Sequence, residues 1–229
     1  MKAKFGSIVV AGSGKIGGHV ASRNRGGAYF RTKVTPVNPS TSFQQAIRSR
    51  LTSISQAWKA LTDAQRKAWN AAVGDYAKTD VFGDLRNPSG FNLHQRLNNN
   101  LLIIGESVIT APPVPGSVYA PISATLAVIT GVPAMTLTYA DAIPATDTVK
   151  LYATPPMSQG VSFVKSEFRL IDTLAAADAS PLNIKTAYDL KFGAITENGL
   201  KVFVKMVGVN KTTGQEGIGV VCSTISATA

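Results

Sequence analysis

The sequence predicts an α+β protein built in consecutive parts: an extended basic arm, a small helical module and a C-terminal antiparallel β-sandwich. Three observations predict this arrangement. The net positive charge of the 229-residue chain lies in its first quarter. Apolar residues then recur at helical spacing as far as about residue 105. From about residue 124 onward, short β-like runs alternate with turn residues, which is typical of a sandwich.

The predicted arm, residues 1–40, is basic and rich in glycine. The first 62 residues hold ten Lys or Arg and no Asp or Glu, whereas the rest of the chain has 13 residues of each sign. A segment of one charge sign repels itself unless something acidic lies against it, so we expect it to dock onto a polyanion or an acidic protein. The residues predicted to contact that partner are the bases and two aromatic residues Lys2, Lys4, Lys15, Arg23, Arg25, Tyr29, Phe30, Arg31, Lys33, Arg48 and Arg50.

Two short apolar pieces interrupt the arm, at residues 8–11 and 28–30. They are suited to pairing as strands on a neighbouring molecule. Glycines break them up too often for a hydrophobic core of their own. The arm is therefore predicted to be extended.

Residues 41–110 form the predicted helical module. Thr62 and Gln65 make a capping box that begins a second helix, and a third helix is predicted from Ser89 to Gly105. The first helix is predicted to end near residue 60 and to place on one face apolar residues that step by three or four: Phe43, Ile47, Leu51, Ile54 and Trp58.

Residues 111–118 are rich in proline and predict a semi-rigid linker. Residues 119–229 form the predicted sandwich, whose eight bases and eight acids cancel. Cys222 is expected to face its interior. The predicted strands are approximately 124–130, 134–140, 148–154, 161–171, 184–192, 200–209 and 217–224.

One motif suggests a cofactor and is rejected. Residues 12–17 read G-x-G-x-x-G after an apolar run, as in a dinucleotide-binding fingerprint. That motif requires a helix at the glycines and an acid about 20 residues later. Here Gly17 and Gly18 oppose a helix, and the first acid is Asp63. We therefore expect no bound cofactor.

The sequence also gives no sign of catalysis or of a metal site, and we expect the protein not to be an enzyme. His19 and His94 are the only histidines, and neither has a partner at metal-ligand spacing. His19 is predicted to be solvated on the arm, and His94 to lie on a helix surface. No arrangement of Ser, His and Asp resembles a nucleophilic triad.

Residues 23–31 interleave arginines with Tyr29, a pattern that serves either phosphate and base contacts or anchoring on an acidic protein. The spread of the bases along the chain favours the protein partner somewhat.

Two stretches resemble a family. Residues 36–41 with Gln44 and Arg48 read P-x-N-P-x-T-x-x-Q-x-x-x-R, and residues 58–69 read W-x-x-L-T-x-x-Q-R-x-x-W. Both resemble small proteins encoded in structural gene clusters of tailed phages and prophages. The resemblance covers about residues 12–73, and residues 89–101 extend it weakly.

The resemblance implies a virion or prophage context. Residues 202–214 look like the last hairpin of an immunoglobulin-like or fibronectin type III sandwich, a fold that carries no function by itself. We therefore expect a phage virion structural protein, made in the host cytoplasm and associated with the head as a decoration, cement or auxiliary capsid protein.

Its expected partners are acidic surfaces of other virion proteins, and self-association stays open. No contact with a membrane is expected. The alternatives are a nucleic-acid-binding module that uses the arm and helices, and a tail or neck structural protein.

Overall fold

The computed structural model describes residues 2–3, 12–35, 37–130 and 134–228. The protein is α+β: in the described residues, four α-helices accompany several sheets whose pairings are almost all antiparallel. Residues 8–11, predicted to pair as a strand, and Lys4 lie outside the described residues.

The N-terminal region forms a small sheet, so the prediction of an extended arm is wrong for residues 14–32. Strands β1 (Lys2–Ala3), β2 (Gly14–Ile16), β3 (His19–Asn24) and β4 (Gly27–Thr32) pair antiparallel in the order β1-β4-β3-β2. The glycines that were expected to interrupt strands instead make the turns between them. Gly17 has φ 55° and Gly27 has φ 105°, and only glycine adopts such angles readily.

The helical module contains the three helices that the sequence predicts. Thr41, Thr62 and Ser89 cap them, and the capping box of Thr62 and Gln65 is present. The elements are α1 (Ser42–Ala60), α2 (Asp63–Ala71), a 3-10 helix (Ala72–Tyr76), β5 (Lys78–Thr79), β6 (Leu85–Arg86) and α3 (Gly90–Ile103).

A compact apolar cluster holds these helices together. Trp69 is fully buried, and its Nε1 donates a hydrogen bond of 2.9 Å to the Thr110 carbonyl. The cluster consists of Leu61, Trp69, Tyr76, Leu93 and Leu97, with Trp58, Val73 and Ile109 packed against it.

His94 was expected on a helix surface, and that expectation is wrong. Its ring is fully buried and contacts Trp58 and Trp69 edge to face, at 5.2 and 5.1 Å between ring centroids. Burial lowers the pKa of His94 below its ordinary value of 6.5. The neutral ring therefore serves as part of the core.

Residues 119–229 are called the β domain below, and their described part contains two four-stranded sheets. Their orders are β11-β8-β7-β14 and β10-β9-β12-β13. The elements are β7 (Ala124–Thr130), β8 (Met135–Tyr139), β9 (Asp147–Ala153), β10 (Arg169–Leu174), β11 (Leu182–Asn183), α4 (Lys185–Phe192), β12 (Lys201–Asn210), β13 (Val220–Ile225) and β14 (Ala227–Thr228).

The two sheets share one core. Leu137 on one sheet and Leu151, Val204 and Met206 on the other are fully buried in the same cluster. Cys222 is buried there as well, as the sequence predicts, and burial raises the pKa of its thiol to about 11.

One predicted strand is a helix. Residues 184–192 contain α4 instead of a strand. Ile184 and Tyr188 lie four residues apart and are both buried, whereas Leu190, two residues after Tyr188, is exposed, and this pattern fits a helix. The predicted strand 161–171 becomes regular only from Arg169.

The hairpin loop between β12 and β13 fastens the β domain to the helical module. The side chain of Gln215 donates to the Tyr76 hydroxyl at 2.7 Å and accepts from the Gly116 N–H at 2.9 Å. The Asn100 amide of α3 donates to the Gly214 carbonyl at 2.8 Å. The segment predicted as a linker is thus hydrogen-bonded to the β domain at Gly116.

Candidate docking surface

The register of the N-terminal sheet places two bases on one face. Lys15 and Arg31 both lie opposite Val20, one on each side of it, and opposed residues of paired strands share a face. Their Cα atoms are therefore about 10 Å apart, two strand spacings. Tyr29 lies on the same face, two residues before Arg31 and half-buried.

The other face carries the apolar contact of the sheet. Ala21 is buried and pairs with Phe30, which is half-buried. Arg23 shares this face and is exposed, while Arg25 lies in the β3–β4 turn. The structure therefore does not gather all the predicted bases on one side. It distributes them over both faces and the rim.

Five bases in and next to this sheet have no counter-charge among the described residues. Lys15, Arg23, Arg25, Arg31 and Lys33 are exposed, and none of them takes part in an ion pair within the described ranges. The positive field of the sheet is therefore open to another molecule, and it acts over about 8–10 Å at physiological salt.

Four predicted contact residues remain, one of them in the same sheet. Lys2 belongs to β1, and Lys4 is outside the described residues. Arg48 and Arg50 are on α1, where the Arg48 guanidinium donates to Asn38 Oδ1 at 2.6 Å. This bond ties α1 to the segment that connects it to the N-terminal sheet.

Helix α1 presents a surface that sequence reasoning did not separate from the core. Ile54 is fully buried, whereas Phe43, Ile47 and Leu51 on the same face are 55%, 46% and 49% exposed. The covered part of this face lies toward the end of α1, where Trp58 contacts Phe91 and His94 of α3. Near the start of α1, the Lys191 Nζ lies 4.6 Å from the centroid of the Phe43 ring. Periodicity predicts a shared face but not the length of its partner.

The glycine motif at residues 12–17 forms no phosphate cradle. Residues Gly14–Ile16 are strand β2, and the chain turns at Gly17 straight into β3. The helix N-terminus that a pyrophosphate requires is replaced by a strand. In the described ranges no group of three His, Cys, Asp or Glu is placed to hold a metal ion. No helix of the same ranges is long and apolar enough to cross a membrane.

Comparison with known proteins gives little further information. The chain matches no protein-family model and no curated protein. Among solved structures it is similar to the crystal structure of FN3tt, with 14% identity and a TM-score of 0.32. That similarity covers 50% of this chain and 100% of the other. It is too slight to support an argument about fold or function.

Proposed function

We propose that this chain is a non-enzymatic structural protein of a tailed-phage virion, attached to the head as a decoration, cement or auxiliary capsid protein through its basic N-terminal region. One observation carries the proposal. Five exposed bases of the N-terminal region have no ion-pair partner among the described residues, within a 62-residue stretch that contains no acid. An acidic shell subunit would supply the counter-charge, and many copies on a symmetric lattice would add up weak contacts.

The β domain is part of the same proposal, as an immunoglobulin-like or fibronectin type III-like sandwich. The order β11-β8-β7 facing β10-β9-β12-β13, around a shared core, supports it. The hydrogen bonds from Gln215 and Asn100 fix this domain against the helical module. The helical module and the β domain would therefore move as one unit on the particle.

Charge reversal of the sheet tests the docking role. The double variant Lys15→Glu/Arg31→Glu is expected to fold, because both side chains are exposed. The test uses a phage or prophage that lacks the native gene and is complemented with this variant. Its particles are expected to lose the protein on purification. The matched control Lys67→Glu/Lys78→Glu changes two exposed lysines outside the sheet and should be retained. Equal retention of the two variants would refute docking through the sheet.

A nucleic-acid-binding module is the second candidate, supported by the bases that surround half-buried Tyr29. It predicts binding of the full chain to duplex DNA that falls by orders of magnitude between about 50 and 200 mM salt if six to ten phosphates are contacted. A filter-binding titration distinguishes the candidates, because weak binding with a flat salt dependence excludes this one.

The remaining alternative is a tail or neck structural protein. In that position the same bases would dock onto an acidic surface of the tail or neck instead of the head. Localising a tagged copy by electron microscopy of particles separates the two.

A further inference from the structure

The outer face of the sheet β10-β9-β12-β13 lines an open cleft. Lys205 lies opposite Val221 on one side and Tyr152 on the other, so the three share the face that points away from the core. Phe203 is on the same face, two residues before Lys205. The loop between β9 and β10 forms the opposite wall with Phe163 and Phe168.

The size and lining of this cleft are those of a ligand site. Its volume is about 740 Å³, within the range of roughly 300–1,000 Å³ in which small-molecule sites fall. Four aromatic rings line it, from Tyr152, Phe163, Phe168 and Phe203. Phe163 is 81% exposed, so most of its ring is available to contact a ligand.

The available charge in the cleft is positive. Among the described residues that line it, the only carboxylate is that of Glu216, which is paired with the buried ammonium of Lys150. Lys165 and Lys205 also line the cleft and join no ion pair among the described residues. The Lys205 Nζ lies 6.0 Å from the centroid of the Phe168 ring. Charge complementarity therefore favours an anionic ligand that also offers an apolar face to the rings.

The topology and charge of the domain narrow the choice. Strands β9 and β12 at the floor are paired on both sides, so a peptide could add to this sheet at the cleft only along the edge strand β13, whose Val221 lines one side. Beyond its two lysines the cleft belongs to a domain of eight bases and eight acids, which lacks the basic field that a nucleic-acid strand requires. A sugar chain that carries at most one carboxylate per ring matches this sparse charge.

We propose that the cleft binds an acidic oligosaccharide whose pyranose rings carry carboxylates. The C–H face of a ring packs against Tyr152 and Phe163, and Lys165 and Lys205 pair with the carboxylates. This inference stands apart from the docking of the N-terminal sheet, since it uses none of the same residues.

Binding of defined sugars to the full chain tests the inference. The probes are tetragalacturonate, a hyaluronan tetrasaccharide and sialyllactose, with neutral cellotetraose and the oligonucleotide dU10 as comparisons. Isothermal titration at 150 mM salt is expected to detect at least one acidic sugar and not cellotetraose. Amide shifts in NMR spectra should map to β12, β13 and the β9–β10 loop.

The variant Phe163→Ala/Lys165→Gln should keep its melting temperature, because both side chains are exposed, and should bind the sugar at least about tenfold more weakly. The matched control Leu190→Ala/Lys67→Gln removes an exposed apolar residue and a lysine elsewhere and should bind normally.

The variant Lys15→Gln/Arg31→Gln separates this site from polyanion binding by the N-terminal sheet and should also bind normally. The proposal is overturned if no acidic sugar binds, if binding follows the N-terminal variant, or if dU10 occupies the cleft more tightly than the sugars.

Discussion

Substitution of Gly214 tests whether the helical module and the β domain form one cooperative unit. Gly214 has φ +68°, and a Cβ there would lie 2.3 Å from the Leu97 carbonyl oxygen of α3 and 3.0 Å from Leu101 Cγ. Gly214→Ala therefore combines a left-handed backbone with a clash against a helix backbone that cannot yield easily.

The expected loss of unfolding free energy follows from these contacts. A left-handed non-glycine residue costs about 1–2 kcal/mol, and overpacking costs about 1–3 kcal/mol. Alanine also lowers the conformational entropy of the unfolded chain, which raises the stability by about 0.4–1 kcal/mol. The net loss is about 1–5 kcal/mol, concentrated at the contact between the β12–β13 loop and α3.

Urea denaturation read by two probes measures this loss. Trp58 and Trp69 both belong to the helical module, so tryptophan fluorescence reports that module alone. Amide exchange along β12 reports the β domain. We expect the two transitions to coincide in the native protein and to separate in Gly214→Ala.

Gly160→Ala is the matched control, since Gly160 has open space around the Cβ position and no positive φ. If the unfolding free energy of Gly214→Ala lay within about 0.5 kcal/mol of this control and the two transitions coincided, a tight contact between the β12–β13 loop and α3 would be refuted.

Three further predictions concern single side chains. Because burial lowers the pKa of His94, the unfolded state binds more protons than the folded state below pH 6.5. Stability should therefore fall as pH decreases from 6.5, by up to about 1.4 kcal/mol per pH unit, and urea titrations of His94→Phe should lack this part of the slope. An identical slope in His94→Phe would contradict the assignment of this pH dependence to His94. Thr62→Ala, which breaks the capping box with Gln65, should lose about 1 kcal/mol in the same assay while Thr62→Ser loses much less; equal losses would contradict the cap. The buried thiol of Cys222, with a pKa of about 11, should react with iodoacetamide at pH 8 only after unfolding, and fast labelling of the native protein would show the site to be open.

The candidate docking surface shows how far sequence reasoning reached. The bases of the N-terminal region could be named from the sequence because charge is read directly from composition. Their arrangement could not, because the same glycines that oppose a core also permit tight turns at Gly17 and Gly27. The choice between an extended chain and a sheet depends on cross-strand pairing, such as Ala21 with Phe30.

The cleft on the β domain was not predicted at all. Its residues come from β9, β12, β13 and a long loop, and no short motif unites them. The alternation of Lys201, Phe203 and Lys205 with buried residues was the available signal, since it places two lysines and a phenyl ring on one outer face.

The charge asymmetry, the three capped helices of the module and most strands of the β domain follow from local sequence, because charge, caps and periodicity act within a few residues. The tertiary structure sets what covers each face. It buried His94, left Phe43 exposed, and joined Asn100 to Gly214 across 114 residues. Such contacts depend on how distant elements meet, and no local pattern encodes them.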